Sequence, residues 1–162
     1  MIQTFFKFEI YLDLYQYQEI PQTIVPYEKR FERSLSTEIK RFQAELHWND
    51  MWKIPDVYDR LDKGYKFWVY RPKNQIKGWS WLSPEGEVKN LYVSKWSRNQ
   101  GLAQKLILQA LNGALDSEME IAFARVDVWN TPSLKAFERV LEIIGCKSKL
   151  TTVEEEYDRS NR

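Results

Sequence analysis

The sequence predicts one α/β domain. Its 162 residues are one domain's worth at about 150 residues each. Segments with a strand period and segments with a helix period alternate along the chain, and no repeat, low-complexity run or linker separates them. The composition, 43% hydrophobic and 29% charged, is that of a chain with enough apolar material for a core, which excludes wholesale disorder.

Each element has its own signal. Along 2–14 the even positions read Ile, Thr, Phe, Phe, Ile, Leu, Leu, while Lys7, Glu9 and Asp13 stand on odd ones; this period of two is that of a half-buried strand. Pro21 and Pro26 then break the chain. Phe31, Leu35, Ile39, Phe42 and Leu46 follow at helical spacing, so a helix is expected from near Tyr27. A short second helix is expected over 56–61, closed by Gly64 in the left-handed conformation that helix ends favour. Strands are expected over 65–70 and 75–82, joined through Arg71-Pro72-Lys73-Asn74. Ser83-Pro84-Glu85-Gly86 leads into a third strand, 87–93. Leu102, Leu106, Ala110 and Leu111 mark a helix over 100–115, and 121–129 reads as a strand. Thr131-Pro132 looks like an N-cap with proline at the first helical position. The helix it opens carries Leu134, Phe137, Val140, Leu141 and Ile144 and ends at Gly145. A last strand over 146–157 completes the order β, α, α, β, β, β, α, β, α, β. We read 1–158 as the domain and 159–162 as a polar tail.

Composition narrows the function. A formal charge of +1 argues against a nucleic-acid binder that relies on a broad basic surface. One Cys and one His exclude an intramolecular disulfide and a Cys- or His-rich zinc cluster, and a Ser-His-Asp triad would have to run through His47. The first residues carry charges and no small-residue cleavage site, and no stretch reaches the roughly 20 apolar residues of a membrane span. With its single unpaired cysteine, the chain is expected to be cytoplasmic, without nucleic-acid or membrane partners, as a monomer or homodimer.

The segment richest in chemistry is the strand ending Leu91-Tyr92-Val93, followed by a short loop and a helix. Arg98, Gly101 and Ala103 stand where that helix begins. The first amides of a helix lack partners and its dipole is positive there, so this is an anion site. Gly101 lets the backbone approach a phosphate and Ala103 adds little bulk; the alternative is that Gly101 only eases the turn. Neither the G-x-G-x-x-G dinucleotide fingerprint nor a P-loop is present.

Arg98-x-x-Gly101-x-Ala103 behind such a strand resembles motif A of the GNAT superfamily, the acetyl-coenzyme-A-dependent N-acetyltransferases. About thirty residues on, Val126-Asp-Val-Trp-Asn130 and the helix carrying Ser133, Ala136, Phe137, Glu138 and Arg139 resemble motif B. The resemblance implies a mixed, mostly antiparallel central sheet of six to seven strands, splayed at an acetyl-CoA cleft and flanked by about four helices. It implies acetyl-CoA as co-substrate, an amine acceptor and no metal. Backbone groups of Leu91 and Val93, with Tyr92 between them, would hold the pantetheine arm. Amides of Arg98, Asn99, Gln100, Gly101, Leu102 and Ala103 would hold the pyrophosphate. Asn130, Ser133 and Phe137 would form the opposite wall near the thioester. A backbone amide near Val93 would face the carbonyl oxygen.

Glu87 stands six residues before Val93, where some family members place a catalytic glutamate, and is the candidate general base; the alternative is a solvated residue at a strand start. Phe137 occupies a position where the family often has a proton-donating tyrosine. That substitution supports a second reading, a degenerate module that binds acyl-CoA without turnover. Tyr92 and Tyr157 are other hydroxyls that could donate. Trp79 and Trp81, with Trp48 and Trp52, either line an acceptor pocket or fill the core. His47 reads as a surface or capping residue and Cys146 as a small buried one. Glu154-Glu155-Glu156 reads as a solvated edge that discourages pairing. A third reading, single-stranded RNA stacking on Phe67, Trp68 and Tyr70, lacks the RNP1 motif.

Overall fold

A computed structural model of the chain describes residues 2–46 and 53–156. His47, Trp48, Trp52, Tyr157 and the tail at 159–162 lie outside the described residues. The elements are β1 (Ile2–Tyr11), β2 (Ile24–Pro26), α1 (Glu32–Leu46), α2 (Ile54–Asp62), β3 (Lys66–Tyr70), β4 (Gly78–Leu82), β5 (Val88–Val93), α3 (Leu102–Asp116), β6 (Ile121–Asp127), α4 (Thr131–Ile144) and β7 (Ser148–Glu156). None of these helices is long and apolar enough to cross a membrane.

The strands form two antiparallel sheets, β2-β3-β4-β5 and β6-β1-β7. In the larger sheet, alternation along β3 sends Phe67 and Val69 into a core with α1 and α2, and Trp68 into a second core with α3. Trp68 lies so close to α3 that a Cβ on Gly113 would stand 2.4 Å from its ring, which is why position 113 holds glycine. In the smaller sheet, Phe8, Ile10 and Leu12 of the expected even-numbered face are buried, and Phe8 stacks on Phe137 of α4 at 5.5 Å. Phe5 is buried on the odd face as well, whereas Ile2 and Leu14 at the ends are exposed.

Among the described residues, one backbone bridge joins the two sheets. Glu87 forms a parallel bridge with Phe123, whose N–H donates to the Gly86 carbonyl at 2.9 Å. Gly86 has φ +96°, and a Cβ there would stand 2.9 Å from the Ile121 carbonyl oxygen, so only glycine suits this joint. Past the bridge, β5 and β6 run parallel without pairing among the described residues, so a gap opens between them. The mixed, splayed sheet expected from the motifs is therefore two antiparallel sheets hinged at a single parallel bridge.

Several boundaries differ from expectation for identifiable reasons. The first helix begins at Glu32, because Tyr27 N–H pairs with the Phe67 carbonyl and extends the unexpected edge strand β2. β4 starts at Gly78, after a turn in which Lys73 and Asn74 take φ of 51° and 67°. β6 stops at Asp127, whose carbonyl accepts from Asn130 N–H. The cap of α4 is Asn130; Thr131 is the first helical residue.

Candidate functional site

The gap between β5 and β6 contains a cleft of about 180 Å³ that brings together five residues singled out in the sequence. Glu87 sits at its closed end, Leu91 on one wall, and Asn130, Ser133 and Phe137 on the other. Asn130 Oδ1 accepts from Ser133 N–H at 3.4 Å, which caps α4 and fixes both side chains at the rim. Phe137 is 3% exposed and holds its place by stacking on Phe8.

A bulge aims β5 into the gap. Trp79 pairs with Tyr92 and Trp81 with Lys89, so Ser80 opposes both Asn90 and Leu91. Asn90 takes φ 52°, and its Oδ1 accepts from Arg60 of α2 at 2.7 Å. Ser94 N–H donates to the Lys77 carbonyl at 2.7 Å. By alternation Tyr92 then turns its backbone toward β4, and Leu91 and Val93 turn theirs toward the gap.

The loop at the open end leaves helix amides facing outward. Asn99 and Gly101 adopt φ of 63° and 73°, and Gly101 is the N-cap of α3. The first turn of the helix runs from Lys105 N–H to the Gly101 carbonyl at 3.2 Å, so the amides of Leu102, Ala103 and Gln104 precede any helical partner. No acidic residue stands in that first turn, and a Cβ on Gly101 would meet nothing within 4 Å. Asn99, Gln100 and Gly101 are exposed, and Leu102 and Ala103 are half-buried. The Arg98 side chain is turned elsewhere. Its Nε donates to the Val93 carbonyl at 2.9 Å and its other nitrogen reaches Glu45 of α1 at 2.7 Å, so it braces the loop against strand and helix.

Glu87 is buried, which rules out the solvated alternative. Its carboxylate accepts two hydrogen bonds from Arg125 of β6, at 2.8 and 3.0 Å, and Lys89 Nζ stands 3.9 Å away. The paired carboxylate raises the pKa of Arg125, and burial lowers that of Lys89. Glu87 also borders a second, open groove of about 400 Å³ on the other side of the joint, with Phe5, Lys89, Arg125 and Val153. Arg125 and Lys89 were not singled out in the sequence. Their signal was a charge within a strand, two residues after Glu87 in one case and mid-strand in the other.

Other candidates fall away from the cleft. The Tyr92 ring points to α1, where its hydroxyl donates to Glu38 at 2.8 Å; burial and then that carboxylate push its pKa well above the usual range. Trp79 and Trp81 are fully buried and fill the core. Cys146 is half-buried and burial raises its thiol pKa. Phe67 and Trp68 are buried on opposite faces of β3 and form no stacking platform, which removes the RNA reading.

Comparison with known proteins adds the family. A model described as the acetyltransferase (GNAT) family matches residues 26–142. No curated protein matches the chain significantly. Among solved structures, a GNAT-family acetyltransferase from Novosphingobium aromaticivorans is similar at TM-score 0.66 and 12% identity, over 95% of this chain and 64% of that one. A GCN5-related N-acetyltransferase from Sphaerobacter thermophilus is similar at TM-score 0.59 and 14% identity, over 94% of this chain and 52% of that one. The chain thus spans little more than half to just under two thirds of their length. AAC(6')-Iy, solved with the bisubstrate analogue CoA-S-monomethyl-acetylneamine, is similar at TM-score 0.62 and 14% identity, over 72% of this chain and 87% of that one. At these identities the likeness is one of fold.

Proposed function

The chain belongs to the GNAT acetyltransferase family, and on that premise we propose that it transfers the acetyl group of acetyl-CoA to a primary amine by direct attack in a ternary complex. The observation that carries this reading is the gap between β5 and β6, which do not pair with each other past the bridge, with the N-terminus of α3 at its open end. In this reading the loop amides up to Ala103 hold the pyrophosphate, and the open space over Gly101 admits it. Backbone groups of Leu91 and Val93 bind the pantetheine arm as an added strand. The same edge offers an amide to the thioester oxygen as negative charge develops there.

The acceptor must lose a proton to attack. For a lysine-like amine with a pKa of about 10.4 this costs about 4–5 kcal/mol at pH 7. Glu87 stands at the closed end of the cleft, and two of its roughly four lone-pair positions are taken by Arg125. The others remain for a water that relays the proton. The amine nitrogen bonds to the acetyl carbon, the carbon–sulfur bond breaks, and the electron pair leaves on the thiolate. A thiol pKa near that of cysteine, about 8.5, lets it depart without a donor at 137.

Phe137 favours the second reading, a module that binds acyl-CoA without turnover. Release of free thiol from acetyl-CoA with a panel of amines separates the two. Acetyl transfer predicts amine-dependent release, with a Glu87→Gln variant losing at least about tenfold in kcat at neutral pH while still binding acetyl-CoA. Binding without release from any amine would leave only the module. Relatives of this fold include aminoglycoside acetyltransferases, among them one from a soil metagenome solved with sisomicin; fold alone does not carry that acceptor to this chain.

A further inference from the structure

The groove behind Glu87 is lined by three cations, Lys7, Lys89 and Arg125, and three carboxylates, Glu85, Glu87 and Glu155, of which only Glu87 is buried. Glu87 is its buried carboxylate, and around it stand Arg125 in bidentate contact and Lys89 at 3.9 Å. Arg60, held on Asn90 and outside the groove's lining, adds positive charge further back. The other carboxylates nearby, Glu85 and Glu155, are exposed at the rim, where Glu155 reaches Arg125 at 3.6 Å. The one buried carboxylate is therefore shared by two cations, Arg125 and Lys89.

Lys89 is the least satisfied of them. Its side chain is only 14% exposed, and its nearest carboxylate oxygen lies beyond hydrogen-bond distance. Burial works against its charge, so the lowered pKa is what a desolvated and underpaired ammonium should have. A buried cation of this kind is stabilised when a ligand anion completes its shell. The groove and the cleft share Glu87, Lys89 and Arg125, so an anion bound there lies beside the candidate base, where the acceptor must present its amine.

We propose that Lys89, with Arg125 and Arg60 behind it, is an anion subsite that selects an acceptor amine carrying a negatively charged group, a carboxylate or a phosphate, over neutral amines and polyamines. This rests on the acetyl-transfer reading above. Arg125 can exchange one of its hydrogen bonds from Glu87 to the incoming anion. That exchange leaves Glu87 freer to receive the proton of the same acceptor. A second ammonium on the acceptor would instead meet Lys89 and Arg125 and be repelled.

The test measures kcat/KM with acetyl-CoA for a set of amino acids, each matched to its carboxamide, together with O-phosphoethanolamine and 1,4-diaminobutane. The expected result is a preference of at least about tenfold for an anionic amine over the carboxamides and the diamine. The carboxamide's amine is the less basic, so intrinsic reactivity runs the other way. Preference for an amino acid assigns the subsite to carboxylate, and preference for O-phosphoethanolamine assigns it to phosphate. In Lys89→Met the ratio of acid to carboxamide should fall to within about threefold of one, and Lys89→Arg should keep it. Carboxamides or the diamine matching the anionic amines, or a ratio unmoved in Lys89→Met, overturns the subsite while leaving acetyl transfer standing. No transfer to any amine by protein that still binds acetyl-CoA overturns both.

Discussion

The Tyr92 hydroxyl donates to Glu38, a carboxylate 1% exposed on α1 that is also reached by Arg41 at 3.0 Å and Lys77 at 3.8 Å. Side-chain chemistry near the cleft is decided by such partners more than by residue type. A tyrosine one position from the strand edge that faces the cleft is removed from the reaction because its ring turns to the other core. Tyr92→Phe should therefore destabilise the fold by about 1–3 kcal/mol, the cost of leaving a buried acceptor short of a donor. Turnover per folded molecule should hold. Chemical denaturation and active-site-normalised rates check the two halves, and a large loss of kcat at unchanged stability would put Tyr92 back in the reaction.

At the scale of elements, β5 was legible as a strand but its bulge was not. Alternation along 87–93 breaks by a single residue at Asn90, and a period of two cannot show one inserted position in so short a run. β2 was missed for a similar reason, since three residues that end on a proline carry no period. The loop and helix signals were stronger because they rest on particular residue types. A glycine at the N-cap of α3 and an Asn-x-Pro start to α4 each do a job that few residues can do. The Asn130 cap gives a prediction of this kind. Its hydrogen bond is long at 3.4 Å, so Asn130→Ala should cost about 0.5–1 kcal/mol, at the lower end for caps. Asn130→Asp, which caps as well, should recover it. A thermal melt of the three proteins decides, and an alanine variant as stable as the parent would mean that Pro132 alone sets the helix start.

The whole molecule is two antiparallel sheets joined at Glu87 and Phe123, and the proposed function rests on what that joint leaves open. The motifs pointed to the cleft, and residues far apart in sequence do line it. The cationic pair on Glu87 stayed hidden in a chain of formal charge +1, because net charge averages over every surface and the cations of β5 and β6 meet only in the fold. Burial also sets the alkaline limit of the molecule. Tyr15 and Tyr92 are both 5% exposed, and burial raises both phenol pKa values. Above pH of about 10 the unfolded chain loses protons that the folded chain keeps, so stability should fall as pH rises through that range. Urea midpoints from pH about 8 to about 11 measure it, and a flat profile would contradict the burial of these hydroxyls.

The central claim is that the gap binds acetyl-CoA with its phosphates on the first turn of α3. Gly101 tests it most directly, because its φ of 73° is one that Asn and Asp tolerate better than other side chains and a Cβ there meets open space. Gly101→Asn and Gly101→Asp should both fold, and they differ by one charge placed where the pyrophosphate would sit. Melting with and without millimolar acetyl-CoA should show a rise in Tm of several degrees for the parent chain, a smaller rise for Gly101→Asn and none for Gly101→Asp. No rise in the parent, or an equal rise in Gly101→Asp, would contradict the account.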